Sequence, residues 1–119
     1  IIGAATFFKV QKAYPDKRII LVEKEKSFAN HQTGHNSGVI HSGLYYTPGS
    51  LKAKNCVLGR HELVAFSKEY NVAHDVCGKV VVATKESELP FMEKIYNNGI
   101  ENHTEGLEKI TAEQIREIE

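Results

Sequence analysis

This sequence has no excess of charge, no long apolar run and little cysteine, and each absence removes a class of protein. Lysine plus arginine equals aspartate plus glutamate at 15 each, so no net field draws the chain to nucleic acid or to an anionic membrane surface. No hydrophobic stretch approaches the roughly 18 residues that span a bilayer, and no basic segment precedes an apolar one at the N-terminus. The sequence therefore carries no sign of a membrane span or of export. Cys56 and Cys77 stand alone, outside any C-x-x-C pair, and are read as inert buried thiols in a reducing compartment. Internal repeats and low-complexity segments are also missing. There is no initiator methionine: the chain opens on Ile1-Ile2-Gly3 and stops at Glu119 within a helical pattern, which reads as a fragment of a longer protein.

What is present is the profile of a folded globular chain, 41% hydrophobic and 25% charged over 119 residues. From Gly3 to Tyr14 the residues Ala4, Phe7, Phe8, Val10 and Tyr14 recur at helical intervals, and Pro15-Asp16 supplies a stop. Arg18 to Glu23 is a β-branched and leucine run, predicted as a strand buried on both faces of a parallel sheet. Glycines at 34, 38, 43 and 49 break any long helix between Lys24 and Gly49. Ser50 is placed to cap a helix over Leu51 to about Tyr70. Lys79 to Thr84 is predicted as a second strand on its β-branched content. A further helix is expected with Ser87 as N-cap, Pro90 in its first turn and Asn98-Gly99 as its stop. Thr111-Ala112-Glu113-Gln114 has the form of a capping box opening a last helix.

Two motifs carry chemistry. Gly3 at the start of a helix, with Glu23 20 positions later at the end of a predicted strand, matches the tail of the G-x-G-x-x-G nucleotide fingerprint and its ribose-binding acid. A helix N-terminus offers free N–H groups and partial positive charge to a pyrophosphate, and a carboxylate accepts hydrogen bonds from ribose hydroxyls. The alternative is an ordinary tight-packing glycine and an exposed strand end. The second motif runs from His31 to Gly43 and holds three histidines and three glycines in thirteen positions. His31 and His35 have the spacing of metal ligands on a helix and His41 could be a third, but no H-E-x-x-H pattern or nearby acid completes the set, so no metal site is expected. Ser37 lacks the G-x-S-x-G elbow of a nucleophile. A structural loop, in which the glycines and Asn36 serve turns, stays open. So does binding of NAD, which would use Gly3 and Glu23 but leave residues 31 to 43 unexplained. His61, His74 and His103 are read as surface or helix-edge residues.

Gly3, Glu23, the run His31-Gln32-Thr33-Gly34-His35-Asn36-Ser37-Gly38-Val39-Ile40-His41-Ser42-Gly43 and the following Leu44-Tyr45-Tyr46-Thr47-Pro48-Gly49-Ser50-Leu51-Lys52-Ala53 resemble the L-2-hydroxyglutarate oxidase/dehydrogenase family. That family lies within the FAD-dependent amino-acid-oxidase and glycerol-3-phosphate-dehydrogenase superfamily. Cys77 to Thr84 and Asn98-Gly99-Ile100 resemble it as well.

The resemblance implies an α/β fold: a partial Rossmann-like FAD-binding domain over residues 1–75, without its first strand and first two fingerprint glycines, then the start of an α+β substrate domain over 76–119. It implies that Gly3 and the first helix support the FAD pyrophosphate and that Glu23 binds the adenosine ribose. Gly34 to Gly38 would follow the pyrophosphate and ribityl chain, with Thr33, Asn36 and Ser37 offering hydrogen bonds. His41 would approach the isoalloxazine as a candidate catalytic base, and Tyr46 would line the same cavity or sit in the core. The implied reaction oxidises a small 2-hydroxy acid, L-2-hydroxyglutarate first among them, to its 2-oxo acid, with electrons passing to oxygen or a quinone. An amino-acid or glycerol-3-phosphate oxidase, or a non-catalytic nucleotide-binding fragment, are the alternatives. The location expected is cytoplasmic, with peripheral association at the inner membrane left open.

Overall fold

The computed structural model describes residues 1–118 and divides them into two compact units, Ile1–Val39 and the chain from Ile40 onward. Each is built around helices whose ends the sequence marks.

In the first unit α1 spans Ile2–Ala13. Its C-terminal residue Tyr14 returns its N–H to the Val10 carbonyl, and the Gln11 side-chain amide then reaches the carbonyls of Pro15 at 3.4 Å and Lys17 at 3.3 Å. Pro15 cannot continue the helical ladder, and Gln11 closes the turn it forces. No residue of this unit is buried, although the helix is apolar around much of its circumference.

The two segments predicted as strands, 18–23 and 79–84, form none, and no β-ladder exists among the described residues. The described residues do not confirm the α/β expectation: their architecture is helices joined by irregular segments. A strand is held by hydrogen bonds to a neighbouring backbone and by burial of its side chains, and high β-propensity supplies neither. Ile20 and Val22 lie open, Val22 at 85% exposure, and Val82 at the second site is exposed too. Between Lys24 and Gly49 the chain runs in turns and bends without a helix.

The second unit contains α2 (Leu51–Glu69), a single 3-10 turn at Glu86–Glu88, α3 (Leu89–Glu101) and α4 (Ala112–Ile118). Ser50 caps α2 as expected, its hydroxyl accepting the Ala53 N–H at 3.2 Å. The capping box of α4 is also made: Gln114 Oε1 accepts the Thr111 N–H at 2.8 Å and Thr111 Oγ1 accepts the Gln114 N–H at 3.3 Å. The start of α3 differs from expectation. Ser87 lies inside the 3-10 turn and makes no cap, while Pro90 does occupy the first turn.

Asn98-Gly99 does not stop α3, which continues to Glu101. A Cβ on Gly99 would lie 2.6 Å from methyl carbons of both Leu44 and Leu107. The glycine is therefore a seat for two leucines rather than a terminator. Among the described residues of this unit the buried hydrophobic ones are Leu44, Ala53 and Ile95. Both cysteines are free, but Cys77 is exposed and Cys56 only half-buried. Cys77 stands beside Gly78 in an irregular segment that covers no core, which corrects its reading as a buried thiol.

Candidate nucleotide site

The first turn of α1 carries no side-chain cap hydrogen bond and no acidic residue. Against it lies a concavity of about 600 Å³ lined by Ile1, Ile2, Gly3, Gln32, Thr33 and Asn36. The terminal ammonium of Ile1 donates to Thr33 Oγ1 at 3.0 Å. Two regions singled out separately in the sequence thus meet in one hollow.

The loop is shaped largely by its own side chains. Asn36 donates from Nδ2 to the carbonyls of Gln32 at 3.0 Å and Thr33 at 2.8 Å, and its Oδ1 accepts the Gly38 N–H at 2.7 Å. All three of its hydrogen bonds are committed to holding the turn. Gln32 Nε2 donates to the His35 carbonyl at 2.9 Å. A Cβ on Gly34 would collide with the Ala29 carbonyl oxygen, and Gly38 has φ +67 with open space around it. The two glycines of the motif are required for different reasons: one by close backbone approach, the other by conformation.

Of the expected cofactor-binding residues, Gly3, Thr33 and Asn36 line the hollow, whereas Glu23, Gly34, Ser37 and Gly38 do not. Gln32, Ile1 and Ile2 line it without having been anticipated. For Gln32 the signal was its position between His31 and Thr33 in the polar run. A Cβ on Gly3 would meet Leu21 Cδ1 at 3.5 Å, ordinary van der Waals contact. Glu23 is exposed, and its Oε1 accepts the Glu25 N–H at 3.1 Å. That backbone bond, aided by the Lys24 N–H and the nearby His31 and Lys24 charges, holds its carboxyl below the usual glutamate range. It is an ionised acceptor at neutral pH.

His31 and His35 do not converge. His31 Nε2 meets Glu25 Oε1 at 2.9 Å, and His35 Nδ1 turns back to the His31 carbonyl at 2.9 Å. No group of three or more metal-ligating side chains exists among the described residues. His41 belongs to the second unit, where it is exposed and its carbonyl accepts the Cys56 thiol at 3.2 Å. In the same unit Lys52 lies over the Tyr46 ring at 4.6 Å and Lys79 over the Tyr45 ring at 4.4 Å.

The hollow brings Gly3 together with Thr33 and Asn36 of the polar run. The chain belongs to the DAO family of FAD dependent oxidoreductases, whose model matches residues 1–119. Among curated proteins it is 48% identical over 119 residues to the L-2-hydroxyglutarate dehydrogenase of Indibacter alkaliphilus, covering all of this chain and 30% of that protein. It is 46% identical over 123 residues to the L-2-hydroxyglutarate dehydrogenase of Escherichia coli K12, covering 28% of it. Against the mitochondrial L-2-hydroxyglutarate dehydrogenase of Homo sapiens the identity is 43% over 119 residues, covering 26% of that protein. The chain spans less than a third of the length of these relatives. No described helix is long and apolar enough to cross a membrane.

Proposed function

We propose that this chain supplies part of the FAD site of an enzyme that oxidises L-2-hydroxyglutarate to its 2-oxo acid. The observation that carries the reading is the hollow at the start of α1, where Gly3 meets Thr33 and Asn36 of the His31 to Gly43 run. The family is FAD dependent, and the relatives named above are L-2-hydroxyglutarate dehydrogenases.

The donor set suits the group. Free N–H groups at the start of α1 would hold a pyrophosphate, the Thr33 hydroxyl would add a donor at its edge, and the ionised Glu23 would accept from ribose hydroxyls. Asn36, with its amide committed to the turn, would keep Thr33 in place. When bound, FAD supplies the hydride acceptor for the substrate α-carbon. His41 is assigned the proton: an imidazole nitrogen would take it from the substrate hydroxyl as that hydride leaves. Residues 1–75 would belong to the FAD-binding domain and 76–119 to the start of the substrate domain, with oxygen or a quinone as final acceptor and peripheral membrane association compatible with the scheme.

The test is anaerobic addition of L-2-hydroxyglutarate to the full-length protein while following the flavin absorbance band at roughly 450 nm, a property of the hydride-accepting cofactor. Bleaching by this substrate is expected, and slower bleaching in His41→Gln. Absence of bound flavin in the purified protein sinks the reading altogether, whereas bleaching at the native rate in His41→Gln sinks only the assignment of the base.

A further inference from the structure

We infer that Asn102, at the end of α3, is a positioning residue for His41. This rests on the proposed role of His41 and goes beyond it, because Asn102 lies 61 positions further along the chain and carries no chemistry of its own.

Asn102, at 7% exposure, is one of the two buried polar residues among those described in the second unit. Its Nδ2 donates to the Gly43 carbonyl at 3.1 Å and to the Tyr46 carbonyl at 2.8 Å. The Cys56 thiol of α2 donates to the His41 carbonyl at 3.2 Å. Three carbonyls of one six-residue segment, 41, 43 and 46, are thus held by side chains from two different helices or their ends. The segment is further confined between them. A Cβ on Gly43, which has φ +92, would touch Val57 and Cys56 of α2, and Leu44 is buried against Gly99 of α3.

A buried amide that spends both its N–H bonds on one loop fixes the path of that loop; losing it would take the side-chain donor from the part-buried Tyr46 carbonyl and leave the Gly43 carbonyl with only the Tyr46 N–H, at 3.1 Å. His41 is exposed at the start of this segment. Its imidazole is open to a ligand, while its carbonyl is held by Cys56 and the residues just after it by Asn102. Proton transfer at a substrate hydroxyl needs a base within about 2.6–3.2 Å, so a loosened backbone should lower turnover more than substrate binding.

Two variants in the full-length protein test this. Asn102→Leu keeps the volume and removes both donors, and Asn102→Asp keeps shape and polarity but turns acceptor oxygens toward the two carbonyls. Expected with substrate is a fall of at least about tenfold in the flavin reduction rate, with KM changed less than about threefold, and a shift in the pH limb that His41→Gln abolishes. Two readouts in the flavin-free protein need no turnover: broadening of the His41 imidazole NMR signals and faster alkylation of Cys56, both confined to the variants. Either variant, folded by circular dichroism, with native reduction rate, pH limb and His41 signals overturns the inference. So does failure of both to fold, which would make Asn102 a residue of the core alone. If His41→Gln reduces flavin at the native rate, the base assignment fails instead, and the NMR and alkylation results still decide whether Asn102 holds the segment.

Discussion

The carbonyl oxygen of Ala29 occupies the space in which a side chain on Gly34 would begin. The obstacle is backbone, and Ala29 is itself held at φ +64, so the turn has little room to yield. Gly34→Ala should cost about 1–3 kcal/mol, the range for forcing a methyl into a filled site. Thr33 and Asn36 flank the strained turn, so weaker FAD binding should accompany the loss. Urea unfolding and FAD titration of the same preparation measure both effects.

Gly3 is predicted to behave in the opposite way. Its Cβ position meets only Leu21 at van der Waals distance, and alanine is the better helix former by about 0.8–1 kcal/mol. Gly3→Ala should leave thermal stability unchanged or slightly raised. FAD affinity should fall by less than about tenfold, or 1.4 kcal/mol. A larger fall with intact stability would place cofactor against the Cα of Gly3 itself.

Gly99 predicts an intermediate case. The carbons that a Cβ would crowd at 2.6 Å are the ends of the Leu44 and Leu107 side chains, which can rotate where a carbonyl cannot. The propensity gain of about 1 kcal/mol offsets part of an overpacking cost of about 1–3 kcal/mol. Gly99→Ala should therefore destabilise by about 1 kcal/mol in chemical denaturation. Because Leu44 follows Gly43, the same change should speed hydrogen exchange of amides in the 43–46 segment.

The helices were legible in the sequence because their signals are local. Ser50, Pro90 and the Thr111 and Gln114 pair act within one turn of the element they mark. The strands expected at 18–23 and 79–84 are not formed among the described residues, because a strand depends on a partner that no local pattern encodes. Gly99 was misread for a related reason. Asn-Gly is a stop signal in isolation, but Leu44 and Leu107, distant in sequence, decide what the glycine is for. At the candidate site the polar run was found, but its division of labour was not. Asn36 and Gln32 both hold the turn and line the hollow, Thr33 lines it, and Gly34 only shapes the turn, a distinction set by loop geometry that composition does not reveal.

Acid should loosen the entry to α3 before the rest of the helix. Glu88 Oε2 accepts the Thr84 N–H at 2.7 Å, the Thr84 hydroxyl at 3.1 Å and the Lys85 N–H at 3.2 Å. The Thr84 backbone bond, then its hydroxyl, then the Lys85 amide hold this carboxyl below the ordinary glutamate range. A depressed folded pKa means that the carboxylate stabilises the folded chain at pH values above the unfolded value of about 4.3. That contribution is lost as pH falls through the lower folded value. The charged oxygen also sits beside the start of α3, where negative charge is favourable. Exchange of the Thr84 and Lys85 amides should accelerate over that acid window relative to amides in the middle of α3, after correction for the intrinsic pH dependence of exchange. Glu88→Gln retains an acceptor but cannot titrate, so the acid-induced change should vanish while some protection survives. The same acid response in Glu88→Gln would assign the effect to another group.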